Sequence, residues 1–180
     1  MIDWKNISLK ELAGYVSEEL RKRDIDVILV GGACVTIYSE NRYQSYDLDY
    51  VTYEDMKKVK KALLDIEFIE KAGYFQHPGC PWFVEFVSPP AAVGNEYVRD
   101  FGSIETRFGK VKLLRPVDSV KDRLGAFYHW NDRQGLEQAI NICLEQDINL
   151  SEVEQWSFSE GYSGKYITFL DRLKKTKSGG

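Results

Sequence analysis

Val27-Ile28-Leu29-Val30 runs straight into Gly31-Gly32, and Tyr46-Asp47-Leu48-Asp49-Tyr50 begins a second β-like run that reaches Thr52. The first segment, Asp26 to Val30, is short, apolar and β-branched, the pattern of a buried strand. Side chains in a strand repeat with period two, so Asp47 and Asp49 project side by side from one face. Two carboxylates placed that way suit a divalent cation held beside a phosphate. The double glycine lets the backbone approach such phosphates with no Cβ in the way.

Holding a pair of cations roughly 3.5–4 Å apart takes two or three carboxylates converging from neighbouring strands. Glu85 is the candidate for the third, since every other side chain in Trp82-Phe-Val-Glu-Phe-Val87 is apolar. A carboxylate in such a strand needs a cationic partner or a metal to offset its desolvation. Each piece has a plain reading by itself. Asp pairs at i, i+2 arise by chance, Gly31-Gly32 serves any strand-to-helix turn, and Glu85 alone fits a buried ion pair or a solvated edge. The specific signal is their order: strand, double glycine, short helix, strand with both aspartates, then a third strand with an acid.

Around this block the chain reads as follows. Ser8-Leu-Lys-Glu11 is a capping box, and Leu9, Leu12, Val16 and Leu20 at helical spacing predict an opening helix to about Arg23. Ala33–Glu40 is expected as the short helix after the glycines. Glu54–Asp65 reads as an amphipathic helix with Met56, Val59, Leu63 and Leu64 on its apolar face. Lys57, Lys58, Lys60 and Lys61 then form its solvated side. Strands follow at Tyr74–Gln76 and Trp82–Val87, separated by His77-Pro-Gly79, and Ser103–Phe108 with Lys110–Leu114 predicts a hairpin across Gly109.

After Arg115-Pro116 the composition turns helical. Helices are expected over Asp118–Trp130, Arg133–Gln146, from a cap at Ser151-Glu-Val-Glu154, and over Gly164–Lys175. The expectation is an α/β (α+β) fold: a small mixed sheet with flanking helices in residues 1–115, a helical bundle in 116–176, and a disordered tail at 177–180. A cleft between two such small halves is a common ligand site. The aromatic residues, 11 Tyr and 4 Trp among them, are expected to build the interface between the halves.

The chain has 180 residues, 43% hydrophobic and 29% charged, with a formal net charge of -4. That balance argues against a protein that coats nucleic acid through bulk positive charge, though not against a local basic groove. No apolar run has the length of a membrane helix, and Met1-Ile-Asp-Trp-Lys5 lacks a signal peptide's layout, so a cytoplasmic location is expected. Cys34, Cys80 and Cys143 are odd in number and widely spaced, which is no disulfide framework. His77 and Cys80 have metal-like spacing but no second pair, and read as a loop histidine and a buried thiol.

The helical half carries Lys121-Asp-Arg123 and Phe127-Tyr-His-Trp130. Lys121 or Arg123 is a candidate phosphate contact. The competing reading pairs Arg123 with Asp132 between helices and puts Phe127 and Trp130 in the core. His129 has the chemistry of a general base, but a lone histidine on an aromatic helix is more often structural.

The stretch Val30-Gly-Gly-Ala-Cys-Val-Thr-Ile-Tyr-Ser-Glu-Asn-Arg-Tyr-Gln-Ser-Tyr-Asp-Leu-Asp-Tyr50 resembles the nucleotidyltransferase superfamily of the DNA polymerase beta type. It is nearest the small bacterial branch with abortive-infection toxin-like members. The resemblance covers roughly residues 26–90. It implies metal binding and catalysis by Asp47 and Asp49, with Glu85 as third carboxylate. It also implies nucleotide contact by Gly31 and Gly32, and places Arg42 and Ser45 where that branch has an Arg and a Ser or Thr. Two features depart from it: the common Gly-Ser is Gly-Gly here, and the third acid is Glu rather than Asp.

The function so implied is Mg²⁺- or Mn²⁺-dependent transfer of a nucleoside monophosphate from a nucleoside triphosphate such as ATP onto RNA, a protein or a small molecule. The alternative is a fold of this type without catalysis, serving as a nucleotide-binding or toxin–antitoxin partner module, which Gly-Gly in place of Gly-Ser favours.

Overall fold

The computed structural model describes residues 2–179. The chain opens with α1 (Leu9–Arg21), whose Ser8 and Glu11 form the expected reciprocal cap. Next come β1 (Ile28–Val30), α2 (Gly31–Tyr38), β2 (Asp47–Val51) and α3 (Met56–Leu64). Then follow β3 (Ile69–Lys71), β4 (Tyr74–Gln76), β5 (Phe83–Val87), the short pair β6 (Ala92–Val93) and β7 (Glu96–Tyr97), and the hairpin β8 (Gly102–Glu105) and β9 (Lys110–Leu113). Four helices end the chain: α4 (Pro116–Trp130), α5 (Arg133–Glu145), α6 (Leu150–Ser159) and α7 (Ser163–Ser178).

Seven strands make one mixed sheet in the order β3-β4-β5-β2-β1-β9-β8. β2 runs parallel to β5 and β1 parallel to β9, while the other neighbours are antiparallel. One face is apolar. Leu29, Leu48, Tyr50, Val84, Val111 and Leu113 are fully buried there, against Leu12, Val16 and Leu20 of α1 and Val59 and Leu63 of α3. The Tyr50 hydroxyl donates to the Ala13 carbonyl (3.1 Å) and shares a hydrogen bond with Ser17, so both buried hydroxyls have partners.

The opposite face carries the alternate residues of the same strands, and the candidate acids lie there. Reading across it from β5 to β9, the side chains are Phe83, Glu85 and Val87; Asp47, Asp49 and Val51; Ile28 and Val30; then Lys110 and Lys112. Residues 88–101 cross over its centre, where Ala91, Val98 and Phe101 pack on Ile28 and Val51.

Several local expectations are corrected. α2 begins at Gly31 itself, so the double glycine is the first turn of the helix and not a loop before it. β3 and the β6–β7 pair escaped the sequence pattern, being two or three residues long and mostly exposed. The cap of α6 is Asn149, whose Oδ1 accepts from the Glu152 amide (3.3 Å), not Ser151. In α3, Val59 and Leu63 are buried with Ala62, whereas Met56 and Leu64 are exposed. α7 continues to Ser178, so residues 177 and 178 are helical, and Gly180 lies outside the described residues. Trp130, placed in the core by sequence, is 80% exposed, while Phe127 is buried as expected.

The aromatics sort into clusters within each part more than along one interface. Trp4, Tyr15, Phe68 and His77 group beside α1, and Tyr128 stacks on Trp156 and Tyr162 among the helices. One of them reaches between the parts: Trp156 Nε1 donates to the Val93 carbonyl (3.3 Å). No helix among the described residues is long and apolar enough to cross a membrane.

Candidate active site

Asp49 and Glu85 are direct partners in the parallel ladder of β2 and β5, and Asp47 stands two residues before Asp49 on the same face. One carboxylate oxygen from each of Asp47, Asp49 and Glu85 lies within 4.8 Å of the others, and all three side chains are half-buried. Among the described residues this is the one such group of potential metal ligands. His77 and Cys80 are not in it. His77 stacks on Trp4 at 3.8 Å and accepts from the Gly79 amide, and Cys80 is a buried free thiol.

Three carboxylates held this close repel one another, and within the described residues no Lys or Arg stands within ion-pair distance of any of them. Burial first, then the charges of Asp47 and Glu85, push the Asp49 carboxyl up to about 6. An all-oxygen donor set with uncompensated charge is what a hard divalent cation requires, so these residues fit one.

The double glycine sits against this cluster. Gly31 has φ +68°, and a Cβ there would come within 2.5 Å of Asp49 Oδ2. Only glycine satisfies both the left-handed backbone and the close carboxylate. A Cβ on Gly32 would stand 2.8 Å from Ser45 Oγ, which takes up the space a side chain would need. Val30 offers α2 no side-chain cap, so the first amides of the helix are left for another acceptor.

Ser45 is buried, and its hydroxyl gives its single proton to Asp47 Oδ1 (2.8 Å). Its amide donates to Thr36 Oγ1 (2.9 Å), and Thr36 in turn donates to the Gly32 carbonyl. The Ser45–Thr36–Gly32 chain therefore fixes one aspartate relative to the helix start. Beside Asp49 lies a cavity of about 340 Å³, whose walls include Gly31, Ser88, Pro90, Asp122 and Arg123.

The structure brings Gly31, Gly32, Ser45, Asp47, Asp49 and Glu85 together and takes two other candidates elsewhere. Arg42 is tied to Glu145 at the end of α5, with Nε at 2.6 Å from Oε1. Lys121 is buried in a second cavity, 3.0 Å from Glu152, 3.4 Å from Glu96 and 3.9 Å from Asp118. Its neighbours Asp122 and Arg123 are the α4 residues that face Asp49. Arg123 pairs with Asp122 (Nε to Oδ2, 3.0 Å) and with Gln138, not with Asp132, which caps α5. Burial works against the Arg123 charge, but Asp122 more than offsets it and holds the guanidinium above its usual range. Asp122 was missed as a site residue because its position shows only once α4 is docked. His129 bonds Tyr162 (3.1 Å) at the far end of α4.

No protein-family model matches the chain, and no curated protein sequence matches it. Among solved structures it is similar to an antigenic nucleotidyltransferase-like protein from Paracoccidioides brasiliensis, at 17% identity over 74% of each chain with a TM-score of 0.58. It is also similar to the antibiotic-resistance factor ANT(2'')-Ia, at 9% identity over 96% of this chain and 97% of that one, with a TM-score of 0.50. A mixed sheet with flanking helices, followed by C-terminal helices, is thus a fold this chain shares with nucleotidyltransferase-like proteins.

Proposed function

We propose that the chain is a divalent-cation-dependent nucleotidyltransferase, moving a nucleoside monophosphate from a nucleoside triphosphate to an acceptor hydroxyl on RNA, a protein or a small molecule. The observation that carries this reading is the convergence of Asp47, Asp49 and Glu85 beside the uncapped start of α2. Mg²⁺ or Mn²⁺ held by the three carboxylates would neutralise charge on the triphosphate and sharpen the attacking oxygen.

The protein's own residues do the rest. The first amides of α2, freed by Gly31 and Gly32, bind phosphate oxygens, and the helix dipole favours their charge. Ser45 holds Asp47 in its ligating rotamer. Arg123 supplies positive charge on the α4 side of the cavity, a part that the sequence offered equally to Lys121. Glu85, half-exposed beside Asp49, takes the proton of the acceptor hydroxyl. On this reading residues 1–115 carry the reacting groups and residues 116–176 close the cavity. Ser45 Oγ stands beside Gly32, but its one proton is committed to Asp47, so any phosphate contact at the turn falls to the backbone amides. What favours the active enzyme over the binding module is the full set of three carboxylates beside that turn.

The test is incubation of the protein with each α-labelled triphosphate, Mg²⁺ and a cell extract. Label is expected in one class of acceptor with the wild type and in none with Asp47→Asn or Asp49→Asn. Unlabelled acceptors throughout, or labelling that survives Asp49→Asn, overturns the reading.

A further inference from the structure

Another cavity lies toward the β8 edge of the sheet, where the end of α1 meets β9 and the strap that precedes β8. It measures about 580 Å³, larger than the space beside Asp49 and within the usual range for a small-molecule site. Its floor is apolar: Ile25 and Val27 are buried, and Phe101 lies half-buried next to them.

Its rim is cationic. Arg21 and Lys112 already have partners, in Glu18 (2.7 Å) and Asp26 (2.8 Å). Lys112 also places its ammonium 5.4 Å from the centre of the Phe101 ring. Arg99 and Lys110 line the same cavity and have no carboxylate within ion-pair distance among the described residues. The one further acid on the rim, Asp100, faces Arg115 and supports its charge. Two uncommitted cations over an apolar floor, in a chain of net charge -4, form a local exception to the charge of the whole.

We propose that this groove binds a small organic anion, a flat apolar body seated on Ile25, Val27 and Phe101 with its phosphate or carboxylate on Arg99 and Lys110. The site is distinct from the carboxylate cluster: Ile28, Val51, Ala91 and Val98 pack between the two. One element nonetheless walls both, since Ser88–Ala92 borders the cavity at Asp49 and Arg99–Phe101 borders the groove.

The experiment titrates AMP, and in a second arm benzoate, into the full chain in EDTA, followed by calorimetry. Chelation and an Asp49→Asn arm take the carboxylate cluster out of the measurement, so the outcome is independent of whether nucleotidyl transfer occurs. Saturable binding is expected for at least one probe. It should be unchanged in Asp49→Asn and weakened at least tenfold in Arg99→Gln/Lys110→Gln, whose side chains are exposed and whose replacement leaves the fold intact. AMP binding displaced by inorganic phosphate marks a phosphorylated ligand, and binding of benzoate alone marks a carboxylate. Saturation by neither probe, or binding that persists in the double variant, overturns the proposal.

Discussion

Asp49 Oδ2 lies 2.5 Å from the point where a side chain on Gly31 would begin, so glycine and carboxylate share one space. Gly31→Ala adds a methyl there and forces it onto a backbone with φ +68°, a cost of about 1–2 kcal/mol before the clash is counted. The variant is expected to melt several degrees lower and to lose cation binding, because Asp49 must turn away. A Gly31→Ala protein that binds Mn²⁺ as the wild type does would show that Asp49 is not held where the structure puts it.

The raised Asp49 carboxyl makes a prediction about pH. Its value in the unfolded chain is 3.8 and in the folded chain about 6, so between them the native state binds the proton more tightly. Stability from this group is therefore fully present below about 3.8 and is lost as pH rises from there through about 6. Asp49→Asn mimics the protonated form at every pH. Melting temperatures in EDTA should be close for variant and wild type near pH 3.5, and higher for the variant at pH 7.5. Parallel profiles would mean that the charge is already compensated.

Addition of Mg²⁺ or Mn²⁺ is expected to raise the melting temperature of the wild type in a dose-dependent way, by about 2.7 kcal/mol of stability at a hundred times Kd. Asp47→Asn, Asp49→Asn and Glu85→Gln should each abolish most of that gain. The Glu85 variant is the informative one, since a centre built by the aspartates alone would keep its response.

Ser45 gives its proton to Asp47, and a hydrogen bond to a charged group contributes about 1.5–3 kcal/mol. Ser45→Ala should weaken Mn²⁺ affinity about tenfold and lower kcat more than it raises KM for the triphosphate. If KM alone changed, Ser45 would be touching the nucleotide instead of orienting the aspartate.

Lys121 is buried among Glu152, Glu96 and Asp118, of which only Asp118 is itself buried, so removing its ammonium costs about 1–3 kcal/mol, less than for a fully enclosed pair. Lys121→Met is expected to destabilise the fold and to leave triphosphate KM unchanged at a temperature where it remains folded. A selective rise in KM would return Lys121 to the nucleotide.

The strand with the two aspartates was legible because its signals are local. Alternation sets Asp47 and Asp49 on one face, and an acid amid Phe83, Val84, Phe86 and Val87 marks Glu85 with no knowledge of its neighbours. What sequence could not show is which residues the helices present. Lys121, Asp122 and Arg123 are consecutive, and a rotation of about 100° per residue decides which meets the sheet. That rotation is set by the packing of α4 on α2 and α5. Trp130 misled for a related reason: a large apolar side chain is assigned to the interior by type, whereas its place at the last turn of α4 leaves it in water. The β6–β7 pair is too short for any periodicity to register.

The parallel pairing of β2 with β5 also bears on how the centre comes into being. Its acids are brought together only after the chain has closed a long excursion through α3, β3 and β4. Contacts so remote along the chain form late in folding, since the entropy of closure precedes any reward. A nascent or partly unfolded molecule therefore holds two aspartates without their glutamate, and the capacity to act arrives together with the finished sheet.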